Sequence, residues 1–256
     1  MTNILPDGRL LPISRPLSAL ATLVMLSCLG LAGCGGSSPT TPTPTPTPTP
    51  APSPPPTGPT FQTIDIEPIA NAPIDHISAP TGRRTFAGVP FDLRSGQRAC
   101  LHTQHQGHPE YPTEATLPLS AGSATTVHVL LTGAFVVDVA ASRTVGDITL
   151  SFANGDVLTV PVVAWSSIRE DWHYTDEAPR AMAPPASPVT WDNVFEQSQG
   201  RAGRPALGFI DRIRIQIPES LSRVALSSLR VRDTSQTTAQ SINSSLRVMA
   251  VTLESR

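Results

Sequence analysis

Ten residues in the second half of the chain, Ile168 to Glu177, hold most of the side chains that could do chemistry. They include Arg169, Glu170, Asp171, Trp172, His173, Tyr174, Asp176 and Glu177. Aromatic faces stack on the apolar C–H faces of sugar rings, while flanking carboxylates and guanidinium groups hydrogen-bond hydroxyls. The whole chain has three Trp and two Tyr, so Trp172 and Tyr174 two residues apart are a local concentration. On a strand they would share one face; in a loop they could bracket a ligand. The competing reading is a packed Trp inside a solvated charge cluster. Trp191, followed by Asp192 and Asn193, allows the same two readings. The candidate ligand set is therefore Arg169, Asp171, Trp172, Tyr174 and Trp191.

Catalytic patterns are missing from the sequence. There is no G-x-S-x-G elbow, no H-E-x-x-H helix and no phosphate-binding loop. A glycosidase needs two carboxyls flanking one bond. Glu170 and Asp171 are adjacent, and on a strand they would point to opposite faces. No catalytic residue is assigned, no cofactor is implied, and a non-enzymatic role is favoured.

His102, His105 and His108, with Glu110 nearby, have a spacing of three that suggests metal ligands. That spacing serves a site only on a helix, and Gly107 and Pro109 oppose a helix here. In an extended chain the rings would fall on alternating faces. A surface loop rich in His and Gln is the favoured reading, and no metal is expected.

The elements that must position these groups begin well into the chain. Residues 1–33 carry Arg9 and Arg15, then an apolar run from Leu17 to Leu31. That run is shorter than the roughly twenty residues needed to span a bilayer, and it reads as a secretory signal. Ser37 to Thr60 contains only Ser, Thr, Pro, Ala and Gly. Such a segment has no apolar surface to bury, and its prolines favour extended polyproline II geometry. It can reach on the order of 70 Å. The remaining residues, 61–256, suffice for one substantial domain.

Strand patterns recur through that domain. Thr125–Leu131 is β-branched and apolar, and Asp147–Phe152 alternates apolar with polar. Asn154-Gly155 then separates it from Val157–Val163, a strong hairpin signal. Ile210–Ile217, Arg223–Arg232 and Leu246–Leu253 predict further strands, with Ile213 and Ile215 facing the core and Arg212 and Arg214 facing solvent or a concave sheet. The expected fold is all-β, a single jelly-roll-like β-sandwich. All 18 basic residues are Arg. Arg9 and Arg15 precede Phe61, as does Asp7 of the 20 acidic residues, so the domain balances 16 against 19. These charges are dispersed, which argues against nucleic-acid binding.

Two resemblances add to this reading. Leu31-Ala32-Gly33-Cys34 resembles the bacterial lipobox, which implies cleavage before Cys34 and lipidation of its thiol. An anchor with several acyl chains holds stably without a transmembrane helix. Gly35, in place of an acidic residue after the Cys, implies export to the outer membrane, with the domain in the periplasm or at the cell surface. Cys28 is then lost with the signal, and Cys100 is left as a lone thiol, read as a small buried apolar group.

The second resemblance rests on Gly88-Val89-Pro90-Phe91-Asp92-Leu93, Val127–Gly133, and Gly146 through Trp172. These stretches are similar to the galactose-binding-like β-sandwich domains of carbohydrate-active and cell-surface proteins. The His-rich segment and the Pro-rich stretch from Ala178 to Val189 depart from that pattern. What the resemblance implies is a membrane-tethered module that binds carbohydrate or another envelope ligand. The alternatives are a structural or assembly lipoprotein contacting an envelope protein and, with least support, a hydrolase.

Overall fold

The computed structural model describes residues 58–74, 79–136, 139–178, 180–235 and 244–256. The signal segment, Cys34 and nearly all of the Pro/Thr-rich segment lie outside the described residues. The described part is all-β, as the strand patterns predict, and contains no helix.

Two antiparallel sheets face each other. The larger has the order β1 (Thr60–Ile64), β13 (Ser245–Ser255), β6 (Thr126–Ala134), β11 (Arg204–Gln216), β10 (Val189–Arg201). Short β4 (Leu101–His102) joins β13, and β9 (Trp172–Tyr174) joins β11. The smaller sheet runs β5 (Glu114–Pro118), β12 (Leu226–Asp233), β7 (Thr144–Phe152), β8 (Val157–Val163). Period-2 alternation sends one set of side chains inward from each sheet. Val127, Val129, Leu131, Ile213 and Ile215 thereby meet Ile148, Leu150, Val160, Val162, Leu229 and Val231 in one buried cluster. Fully burying each aliphatic side chain of this kind is worth roughly 1.5–3 kcal/mol. The one described cysteine, Cys100, is buried and in no disulfide, so no disulfide supplements that core among the described residues.

A third layer lies on the opposite face of the larger sheet. The hairpin of β2 (Gly82–Phe86) and β3 (Val89–Leu93) packs Val89, Phe91 and Leu93 onto Leu130, Ile210 and Ala250. This corrects one expectation. Arg212 points away from the sandwich core, yet the hairpin covers it and leaves it 4% exposed. Its charge is met by Asp192 at 3.0 and 2.7 Å and by the Phe86 carbonyl at 3.4 Å. Arg214, two residues on, lies beyond the hairpin and is 44% exposed in its side chain.

The sheets approach closely at Gly146 on β7. A Cβ there would run into the backbone carbonyl oxygen of Arg232 on the neighbouring strand and crowd Leu246. Backbone cannot swing aside as a flexible side chain can. Gly146→Ala should therefore cost about 1–3 kcal/mol, the usual range for overpacking. Urea denaturation checks this: the midpoint should fall, and an unchanged midpoint would mean that the β7–β12 spacing has slack.

Candidate functional site

The segment Ile168–Tyr174 crosses one end of the sandwich. Its first charged residues are pinned one after another to different elements. Arg169 donates to both oxygens of Asp211 on β11, at 2.9 Å each. Glu170 accepts the backbone N–H groups of Phe135 and Val136, at 3.2 and 2.7 Å, and so staples the loop after β6. Asp171 pairs with Arg247 of β13 and is 1% exposed. Arg247 also donates to His102 Nε2 at 3.2 Å. A guanidinium can only donate, so that ring nitrogen accepts and the His102 proton sits on Nδ1.

After Asp171 the chain becomes β9 and adds to β11, pairing Trp172 with Gly208, His173 with Leu207 and Tyr174 with Ala206. Trp172 and Tyr174 share one face, as their spacing requires, and meet edge to face with centroids 4.8 Å apart. Each is backed by a guanidinium from the β10–β11 hairpin. Arg201 lies 4.1 Å from the Trp172 ring centre and Arg204 lies 3.6 Å from that of Tyr174. Arg204 is held in turn by Asp176 at 2.6 Å and Glu177 at 2.9 Å. His173 takes the opposite face and stacks on Phe209, centroids 5.2 Å apart.

Trp172, His173, Tyr174 and Phe209 line a cleft of about 300 Å³, together with Trp165, Arg169, Glu170, Glu177, Ala178 and Arg180. Half of its lining residues carry rings: Trp165, Trp172, His173, Tyr174 and Phe209. Trp165 is 6% exposed and is fixed by its indole N–H on the Val139 carbonyl at 3.1 Å. Arg180 covers that ring at 4.7 Å and donates to the same carbonyl at 3.0 Å. The Arg169 guanidinium sits 3.8 Å from the centre of the Phe209 ring. Four of the lining residues, Trp165, Trp172, Tyr174 and Phe209, thus each carry an arginine guanidinium against the ring.

Three of the five expected ligand residues, Arg169, Trp172 and Tyr174, line this cleft. Asp171 does not: its carboxylate is spent inside the protein on Arg247. Trp191 does not line it either. Its ring packs half-buried against the sandwich core, 5.3 Å from the Arg169 guanidinium. Trp165, Phe209 and Arg180 escaped the sequence reading, because each is brought in from a distant stretch by strand register or loop path.

The histidine segment departs from the expected surface loop. His102 and His105 are buried, and the rings form a ladder, His102 on His105 at 4.7 Å and His108 on Tyr111 at 4.6 Å. His105 Nδ1 accepts the Gly107 amide at 3.1 Å, and His108 Nδ1 bonds Glu110 at 2.8 Å. Among the described residues no group of His, Cys, Asp and Glu is arranged to hold a metal. No known protein family, curated protein or solved structure matches the chain.

Burial is the largest influence on four titratable groups. It pushes the His105 pKa down, with the neighbouring His108 and Arg247 adding to the effect. Burial also lowers His128, against the opposing pull of Glu254 at 2.8 Å. Asp211 and Asp233 move the other way: burial raises both despite their hydrogen-bond partners.

Two outcomes are expected. Asp171→Ala strands the Arg247 charge in a nearly closed site and should cost about 3–5 kcal/mol, measured by denaturant unfolding. A loss below about 1 kcal/mol would mean that Arg247 finds water instead. For pH, a histidine whose folded pKa lies below its unfolded value of about 6.5 stabilises fully above that value. The stabilisation is lost as pH falls through it toward the folded pKa. Asp211 and Asp233 act in the opposite sense, since raised folded pKa values make the folded state take up protons first. The unfolding midpoint of His105→Gln should therefore fall less than that of the parent between pH 7.5 and 5.5. Parallel curves would remove His105 from the account.

Proposed function

We propose that this chain is a lipid-anchored, non-enzymatic module that binds a small carbohydrate in the aromatic cleft. Cys34 holds it to the outer membrane, the Pro/Thr-rich segment gives it reach, and the sandwich carries the site. The observation behind this reading is the cleft lined by Trp165, Trp172, Tyr174 and Phe209. Ligand sites run from about 300 to 1,000 Å³, so a space at the lower end suits one or two sugar rings. Arginines and a neighbouring ring hold the aromatic walls, so little order has to be gained on binding. Glu170, Glu177 and Arg169 stand at the rim, where hydroxyls would meet the lone pairs and N–H groups left over from their internal bonds.

The same geometry weighs against hydrolysis. Glu170 is committed to two backbone amides and Glu177 to Arg204, so neither is poised as a free acid or base.

Glycan-array binding by the detergent-solubilised protein tests the reading. At least one mono- or disaccharide should be retained. Trp172→Ala should weaken it about tenfold, which corresponds to ~1.4 kcal/mol. If no glycan binds, or if Trp172→Ala binds as tightly as the parent, the proposal fails. A stable protein partner recovered from crosslinked membranes, without sugar binding, would favour an assembly role instead.

A further inference from the structure

Besides the short strands β4 and β9, four strands form edges of the two sheets, and three of these resist further pairing. β8 carries Pro161 at its middle, β5 is five residues long and ends in Pro118, and β1 is also five residues long. Proline removes a ladder donor, and a short edge gives a visiting strand little to hold. β10 is different. It runs thirteen residues without a proline, and no described strand pairs with its outer side. Its one irregularity is a bulge at Val194, where the register shifts between Asn193 and Phe195. From Phe195 to Arg201 its pairing with β11 is regular.

The hairpin turn settles which backbone groups are free. Arg201 and Arg204 pair across the two-residue turn Ala202-Gly203, whose φ values are 50° and 76°. Residues flanking such a turn exchange both of their hydrogen bonds. Alternation then directs Gln199 and Gln197 inward to β11, and Glu196, Ser198 and Gly200 outward. All three outward residues are exposed.

We propose that this edge pairs antiparallel with the same edge of a second copy, with the two-fold axis at Ser198. A two-fold interface must be self-complementary. The regular stretch Phe195–Arg201 has Ser198 at its centre, so this register overlaps all of it. Cross-strand neighbours then agree: Glu196 meets Gly200, Gln197 meets Gln199, Phe195 meets Arg201, and no like charges face each other. The chain's own Ser37–Thr60 is a poor occupant, since every other residue through its Thr-Pro run lacks an N–H. A pairing this short buries little area, which makes the dimer concentration-dependent.

Sedimentation of the whole chain in detergent tests the proposal. A monomer–dimer equilibrium is expected, and Ser198→Pro should abolish it. That variant deletes an outward donor and leaves the bonds between β10 and β11 in place. A second pair of variants tests the register. Directly opposed residues of a hydrogen-bonded antiparallel pair have Cα atoms about 5.5 Å apart, within disulfide reach. Ser198→Cys should therefore give a covalent dimer on mild oxidation, and Glu196→Cys should not. Cys100 is buried and does not compete. A monomer at every concentration overturns the proposal, as does a dimer that survives Ser198→Pro. So does equal crosslinking of Glu196→Cys, or capture of a different envelope protein by Ser198→Cys in place of a second copy.

Discussion

Charge buried at one end of the sandwich is the constraint around which the rest is arranged. Arg169, Glu170 and Asp171 are consecutive, yet they reach β11, the loop after β6, and β13 respectively. A buried ion is tolerated only with a partner of good geometry, because desolvation costs several kcal/mol per ion. The partners cannot move independently, so three elements are held in one mutual arrangement by one short peptide. Backbone bonds reinforce the join: Gly133 N–H donates to the Arg169 carbonyl at 3.0 Å, and Asp171 N–H to the Gly133 carbonyl at 2.8 Å. Gly133 is required for that approach, since a Cβ there would collide with Val136 and press on the Arg169 carbonyl.

The three layers follow from ordinary patterning once this end is fixed. Alternating strands fill the space between the sheets, and the β2–β3 hairpin covers the apolar patch left on the outer face of the larger sheet. Covering that patch also buries Arg212 and so obliges Asp192 to face it. An arginine on the outward face of a strand is thus no guide to exposure; what lies above it decides.

The separation between legible and hidden parts has a physical basis. Val157–Val163 was readable because it has one dry and one more exposed face. Asp147–Phe152 alternates apolar with polar although both of its faces are buried, since Arg232 and Arg230 cover Asp147 and Thr149. Asn154-Gly155 marks the turn between them, with Gly155 at φ 89°. β10 was not, because it is an edge strand and its distal half pairs where no sheet lies opposite. Its sequence Phe195-Glu196-Gln197-Ser198-Gln199-Gly200-Arg201 carries no strong alternation for that reason. Trp172 and Tyr174 announced themselves by local concentration. Phe209 and Trp165 did not, since register and a loop bring them into the cleft from elsewhere. The burial of Asp171 on Arg247 was hidden, because a run of charges reads the same whether solvent or buried arginines neutralise it.

Strain gathers where the clamp and the cleft meet. Phe135, whose amide Glu170 holds, has φ 60°, and Trp165, at the cleft wall, has φ 59°. Positive φ is costly for side chains of this size and persists only when surrounding contacts over-determine it. Here those contacts are identifiable: the Glu170 carboxylate on one loop, and on the other the Val139 carbonyl together with the Ala183 amide, which donates to the Trp165 carbonyl at 2.7 Å. A strained aromatic anchored in this way does not swing out to meet a ligand. The cleft wall at Trp165 is therefore fixed in shape, and under the binding proposed above a ligand would have to fit against a ring already in place.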